Sequence, residues 1–155
     1  MGSGQVKAPQ GMVPCPSMTS APQPPSTPHL TSAVIGVGVD IIEIERVRLA
    51  VERGGTRFVR RVFLDAEAAY SMGKRYPARH FAARFAAKEA VIKALRVPPG
   101  LGWLWRDIEV VRGAGPPSIR LSGRALERSA ALGASAAHLS ISHSETHAVA
   151  IVVLT

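Results

Sequence analysis

The sequence predicts an α+β domain in which a mostly antiparallel sheet packs against a long central helix. Three observations carry this. Runs rich in branched residues at 33–39, 108–111, 118–121, 136–142 and 148–154 read as strands. Their order is strand, helices, two strands, helix, two strands, not the regular strand–helix alternation of a parallel sheet. Between the first strand and the rest lies FAARFAAKEAVIKAL, residues 81–95, an Ala-rich run of strong helix formers with no Gly or Pro inside it.

Taken in order, residues 1–32 form a proline-rich tail, containing PCPSMTSAPQPPSTP, with no periodicity that could build a packed element; we expect it to be disordered. Cys15 lies there and is not expected to be catalytic. The structured domain is expected to span 33–155. It opens with AVIGVGV, in which glycines alternate with branched residues, leaving one strand face open to close approach. Asp40 follows; it could begin a turn, cap the next helix or hold a cation. Residues 44–53 form a helix with Ile44, Val47 and Val51 inward, ended by Gly54-Gly55. Phe58, Val62 and Phe63 give a short helical turn, and 65–72 another helix. Pro77 sits where a first helical turn accepts it, and the central helix stops near Arg96, ahead of Pro98 and Pro99. A loop with Trp103 and Trp105 leads into two strands around a Gly113–Pro117 turn. Ser122 caps a helix closed by Gly133, and the last two strands form a hairpin across residues 143–147.

On the central helix Phe81, Phe85 and Ile92 share one stripe, and Ala83, Ala86, Ala87, Ala90 and Ala94 the opposite side. Such a helix should be largely buried. Glu89 and Lys93 nevertheless stand four residues apart, and Arg84 and Lys88 make a second polar stripe. An intrahelical Glu–Lys pair is the simple reading, but at about 0.2–0.5 kcal/mol it gives little reason to bury the charges.

Composition narrows the field. The chain has 155 residues, 46% hydrophobic, which suits one domain with a real core. The single cysteine excludes an intramolecular disulfide framework and fits a cytoplasmic setting. No apolar run approaches the roughly 20 residues of a membrane span, and no secretory signal pattern opens the chain. Net charge is +8, concentrated in residues 40–96, where 13 basic face 7 acidic side chains. Such an excess draws anionic partners. Nucleic acid is disfavoured: aromatic content is 5%, without the interleaving that stacking recognition uses. No Walker loop, Rossmann fingerprint, zinc spacing or nucleophile elbow is present.

GVGVDIIEIERVR at the start, RFAAKEAVIKAL on the central helix, then DIEVVR and the terminal HLSISH occur in order. Together they resemble the holo-acyl-carrier-protein synthase family of phosphopantetheinyl transferases, across residues 33–154. One departure is that the family commonly places glycine directly after KAL, where this chain has Arg96. The resemblance implies the phosphopantetheinyl transferase-like fold, and transfer of phosphopantetheine from coenzyme A to a carrier-protein serine with release of adenosine 3′,5′-bisphosphate. It implies Mg2+ held by Asp40 and Glu89, with Lys93 reaching the same phosphates. Arg84 and Lys88 would hold other coenzyme A phosphates or structure the fold. His143 would lie near the 3′-phosphate or be a structural turn histidine. Serine's proton would pass to Glu89 or to a metal-ordered water. Arg46, Arg53, Arg57 and Arg60 would meet an acidic acyl carrier protein, and the assembly would be a homotrimer. A basic nucleic-acid module leaves Asp40, Glu89 and Lys93 unexplained, and a silent homologue would have lost its acidic pair.

Overall fold

The computed structural model describes residues 1–2, 33–98 and 104–155. Every element below belongs to the compact unit Thr31–Thr155. The expected tail, apart from Met1 and Gly2, lies outside the described residues, as do residues 99–103 with Trp103.

Strand β1 (Gly36–Glu43) leads into helices α1 (Ile44–Val62), α2 (Asp65–Met72) and α3 (Pro77–Ala94). A single 3-10 turn (Trp105–Asp107) precedes strands β2 (Ile108–Val111) and β3 (Ser118–Leu121); helix α4 (Gly123–Ala131) and strands β4 (Ala137–His143) and β5 (His147–Leu154) complete the domain. One sheet has the order β1-β5-β4 and the other pairs β2 with β3, every pairing antiparallel. The α+β architecture and its antiparallel sheets are therefore as expected.

The largest departures from the expected boundaries are at Asp40 and at Gly54-Gly55. β1 continues through Glu43, so Asp40 neither ends a strand nor caps a helix; it sits within the strand, paired in register with Ala150. Period two places Asp40 on the face of Gly36, Gly38 and Ile42, and burial of Ile42 extends the strand past the acid. Gly54-Gly55 does not end α1 either. Gly55 alone leaves helical geometry, at φ 51° and ψ −143°, and the helix resumes to bury Val62. The glycine makes a kink, because apolar residues on both sides of it reach the same core.

α3 explains the glycines of β1. Ala90 and Ala94 are fully buried, and the helix backbone lies so close to the strand that a Cβ on Gly36 would come 2.2 Å from the Ala94 carbonyl oxygen. One on Gly38 would come 1.9 Å from that of Ala90. The open strand face is thus occupied by α3 itself. On the helix's other side Phe81 packs on Phe63, centroids 4.9 Å apart, and Phe85 on Trp105 at 5.6 Å.

A buried polar cluster ties these layers together. Lys88, fully buried, pairs with Glu67 of α2 at 2.7 Å and donates to the carbonyls of Trp105 and Ile108 at 2.7 and 2.5 Å. Glu67 also accepts the backbone N–H groups of Leu64 and Val110, at 2.9 and 3.0 Å. Burying the pair is tolerable because each charge finds several hydrogen-bonding partners.

The position after KAL also has a physical account. Arg96 adopts φ 51°, the left-handed conformation that favours glycine. Its N–H bonds the Lys93 carbonyl and that of Val97 bonds Ile92, closing α3. The Arg96 guanidinium additionally donates to the Ile35 carbonyl at 2.8 Å, tying this cap to the start of β1.

Candidate active site

The glycine face lets β1 run close to the last turns of α3, so Asp40 and Lys93 meet across the two elements. Lys93 Nζ donates to Asp40 Oδ1 at 2.8 Å and to the Val39 carbonyl at 2.9 Å. The simple intrahelical pair is therefore not the arrangement: the ammonium crosses to the strand. Glu89 instead accepts from the indole Nε1 of Trp105 at 2.5 Å. Asp40's side chain is 16% exposed and Lys93's 52%, so the acid is sheltered while the ammonium stays reachable by an incoming anion.

Asp40 and Glu89 line a single cavity of about 420 Å³ together with Arg46 from the start of α1. Phe58, Phe85 and Trp105 supply much of its apolar wall. Two carboxylates facing one partly sheltered space repel each other, which a cation relieves; one of them already holds an ammonium. Their donor chemistry fits magnesium, a hard ion that takes one or two carboxylates and completes its shell with phosphate oxygens and water. Among the described residues no group of three or more His, Cys, Asp or Glu gathers in one place. An ion taken by this pair would thus draw its other ligands from substrate and water.

Lys88, Arg84 and His143 do not line this cavity. Lys88 has three acceptors for its three donors, all inside the fold. Burial pushes its pKa below the ordinary value, with Glu67 opposing. Of the two roles open to it, that of a structural cation is the one its surroundings fit. Arg84 is also buried, its guanidinium 4.1 Å over the Tyr70 ring and one N–H directed to the His80 carbonyl at 3.4 Å, while its Nε lacks a hydrogen-bond partner. His143 is exposed at the end of β4, and its charge is among those depressing the pKa of His80, behind burial and the charges of Arg84 and Lys74. His80 thus feels the charges of Arg84, Lys74 and His143, and none of these four residues lines the acidic cavity.

On α1, Arg46, Arg53, Arg57 and Arg60 all project to solvent. Arg48, on the same helix, is consumed locally by Glu45, at 2.6 Å, and by Glu52. Of these four arginines only Arg46 reaches the acidic cavity; Arg60 lines a neighbouring one with Val51, Val59 and Met72. Sequence reasoning missed Trp105 as part of the site and Glu67 as the partner of Lys88. Trp105 offered little signal, standing as one of two tryptophans in a loop; a buried charged lysine on an apolar helix, however, calls for an acidic partner.

Comparison with known proteins bears directly on this geometry. Residues 36–152 match the 4'-phosphopantetheinyl transferase superfamily. The holo-[acyl-carrier-protein] synthase of Koribacter versatilis is 42% identical over 122 residues, spanning 78% of this chain and 98% of that protein. The crystal structure of the Neisseria meningitidis holo-[acyl-carrier-protein] synthase superposes with a TM-score of 0.68 at 31% identity, covering 79% of this chain and 99% of the other. The Helicobacter pylori synthase, solved in complex with coenzyme A, gives 0.65 at 31% identity, with 77% and 99% covered.

Proposed function

Because this chain belongs to the 4'-phosphopantetheinyl transferase superfamily, among its holo-[acyl-carrier-protein] synthases, we propose the following division of labour for its residues. The phosphopantetheine of coenzyme A is transferred to a serine of apo acyl carrier protein, adenosine 3′,5′-bisphosphate leaves, and Asp40 and Glu89 hold Mg2+. The observation that carries this is the convergence of Asp40 from β1 and Glu89 from α3 on one cavity, beside Arg46.

In the transfer, serine Oγ bonds to the pantetheine phosphorus and gives its proton to Glu89 or to a metal-ordered water, while the bond from that phosphorus to the bridging oxygen breaks, so charge grows on the departing nucleotide phosphate. A bound divalent ion supplies charge neutralisation at these phosphate oxygens. Asp40 and Glu89 present the oxygen donors for it. Lys93 is tethered to Asp40 yet half exposed, so its ammonium can swing onto a phosphate oxygen and offset the charge of the leaving group. His143 would take the 3′-phosphate of coenzyme A, with Arg84, buried behind Tyr70, adding positive charge to the side that meets the other coenzyme A phosphates. Lys88 holds the helix in place from behind.

The carrier protein would dock on α1 through Arg46, Arg53, Arg57 and Arg60, an association that should weaken with salt. The reading includes a homotrimer acting in the cytoplasm. Supporting the trimer, the sheet face turned away from α3 exposes Val37, Val39, Ile41 and Ile151, at 59, 53, 65 and 46%. A contiguous apolar face of this kind favours covering by a partner. No helix among the described residues is long and apolar enough to cross a membrane.

The test is intact-mass analysis of an apo carrier protein incubated with the chain, coenzyme A and Mg2+. One added phosphopantetheine is expected, abolished by Asp40→Ala or Glu89→Ala and by chelation. Unmodified carrier protein across several acceptors overturns the assignment. Charge reversal at Arg53 and Arg57 should raise the carrier-protein KM and flatten its salt dependence; unchanged values would remove α1 from the docking surface. Light scattering of the wild type and of Val39→Asp checks the trimer.

A further inference from the structure

Trp105 is the one residue of the acidic cavity whose contact to Glu89 has no role yet. Its Nε1–H meets Glu89 Oε1 at 2.5 Å, and its own position is determined from several sides. The residue is 9% exposed, its ring lies against Phe85 with an interplanar angle of 50°, and the Arg61 guanidinium lies 6.0 Å from its centroid. Its backbone carbonyl accepts from Lys88, which is itself locked to Glu67, which is in turn held by two backbone N–H groups. Hydrogen bonds joined through the body of Trp105 therefore link a fully buried ion pair to one oxygen of a carboxylate in the cavity.

We propose that Trp105 is a positioning residue for Glu89: its indole N–H claims Oε1 and leaves the second oxygen to the cation. An unrestrained glutamate has three side-chain torsions to immobilise before it can ligate, an ordering cost that lowers cation affinity. The indole pre-orders the carboxylate plane, and the Lys88–Glu67 pair keeps the 3-10 turn carrying the indole from drifting. Hydrogen bonds to metal-binding groups of this sort are worth about 10–100-fold in metal affinity. A tryptophan placed for packing alone would bury its ring here just as well, and its substitution would alter stability while leaving cation affinity untouched.

This inference rests on Glu89 being a cation ligand, and the experiment separates the two. In the full chain, Trp105→Phe keeps the aromatic contact with Phe85 and removes the N–H. Calorimetry with Mg2+ in the presence of coenzyme A should show binding about 10-fold weaker than wild type. The loss should appear in the Mg2+ concentration that gives half-maximal rate more than in kcat at saturating Mg2+, and coenzyme A affinity without metal should fall by less than Mg2+ affinity does. Equal Mg2+ affinity in wild type and variant overturns the positioning role and leaves the proposed function standing. Failure of the wild type itself to bind Mg2+ overturns both.

Should Trp105→Phe fail to fold, a Trp103→Phe chain leaves Trp105 as its sole indole and decides the matter by NMR. The 15N-labelled indole N–H resonance should shift on adding Glu89→Gln and again on titrating Mg2+ with coenzyme A. A resonance indifferent to Glu89→Gln means that no such hydrogen bond exists, and the proposal falls.

Discussion

Gly38→Ala tests whether the approach of β1 to α3 sets the geometry of the acidic cavity. The added Cβ would lie 1.9 Å from the Ala90 carbonyl oxygen, 2.7 Å from Ala94 N and 2.9 Å from the Ala90 carbonyl carbon. All three are backbone atoms, so no side chain can rotate away. An ordinary carbon–oxygen contact begins at roughly 3.3 Å, so strand and helix must part by more than about 1 Å. Overpacking usually costs about 1–3 kcal/mol, and a main-chain obstacle on an eight-residue paired strand belongs at the upper end, about 3 kcal/mol. Function should suffer beyond stability, because Asp40 rides on the displaced strand while Glu89 and Lys93 ride on the helix. A misplacement of about 1 Å can cost on the order of 100-fold in rate. Urea unfolding followed by circular dichroism measures the first loss. Initial rates of carrier-protein modification, at a temperature where the variant stays folded, measure the second. Gly115→Ala is the control, with nothing within 4 Å of its new Cβ, and should stay within about 0.5 kcal/mol of wild type. Wild-type stability and rate in Gly38→Ala would refute the reasoning.

Further predictions concern the supporting residues. Lys88→Met strands the Glu67 carboxylate in the core and should cost about 3–5 kcal/mol in urea unfolding, partly recovered in the double variant with Glu67→Gln. No coupling between the two would mean that the pair is not the anchor described. Arg96→Gly relieves the positive φ at the end of α3, worth about 1–2 kcal/mol, whereas Arg96→Ala keeps the strain; both lose the guanidinium bond to Ile35. The glycine variant should be the more stable by chemical denaturation, and the reverse order would contradict the cap geometry. His80 has its pKa lowered chiefly by burial, then by Arg84, Lys74 and His143. In the window between that lowered value and the ordinary 6.5, the unfolded chain binds more protons than the folded one. Stability should thus rise with pH across the window and be lost on acidification. His80→Gln should flatten this dependence when unfolding midpoints are compared at several pH values.

Much was legible from sequence, for local reasons. Period-two alternation marked the strands, and Pro77, Gly133 and the proline pair after Arg96 marked helix limits, because each constrains φ or removes a donor wherever it stands. β2, β3 and α2 fell on their expected residues. Asp40 was misplaced because an acid after a glycine-rich strand looks like a stop. The strand continues because β5 pairs with it over eight residues, a partner more than a hundred positions away. The Gly54-Gly55 pair looked like an ending for the same kind of reason: whether a helix resumes past a kink depends on a core that receives both halves.

By itself the sequence determined the element order, the motifs that pointed to the family, and the residue types available for the chemistry: two acids, a lysine and a row of arginines. Only the tertiary structure decided which of them act together. Glu89 and Lys93 sit one turn apart on one helix yet do not pair, because the glycine face brings Asp40 near enough to take the ammonium while Trp105 takes the carboxylate. Lys88 shares that helix and is enclosed by partners from α2, the 3-10 turn and β2. Helical spacing says which side chains point the same way, whereas the energy of a charge depends on what stands a few ångströms off. Those neighbours come from elements distant in the chain.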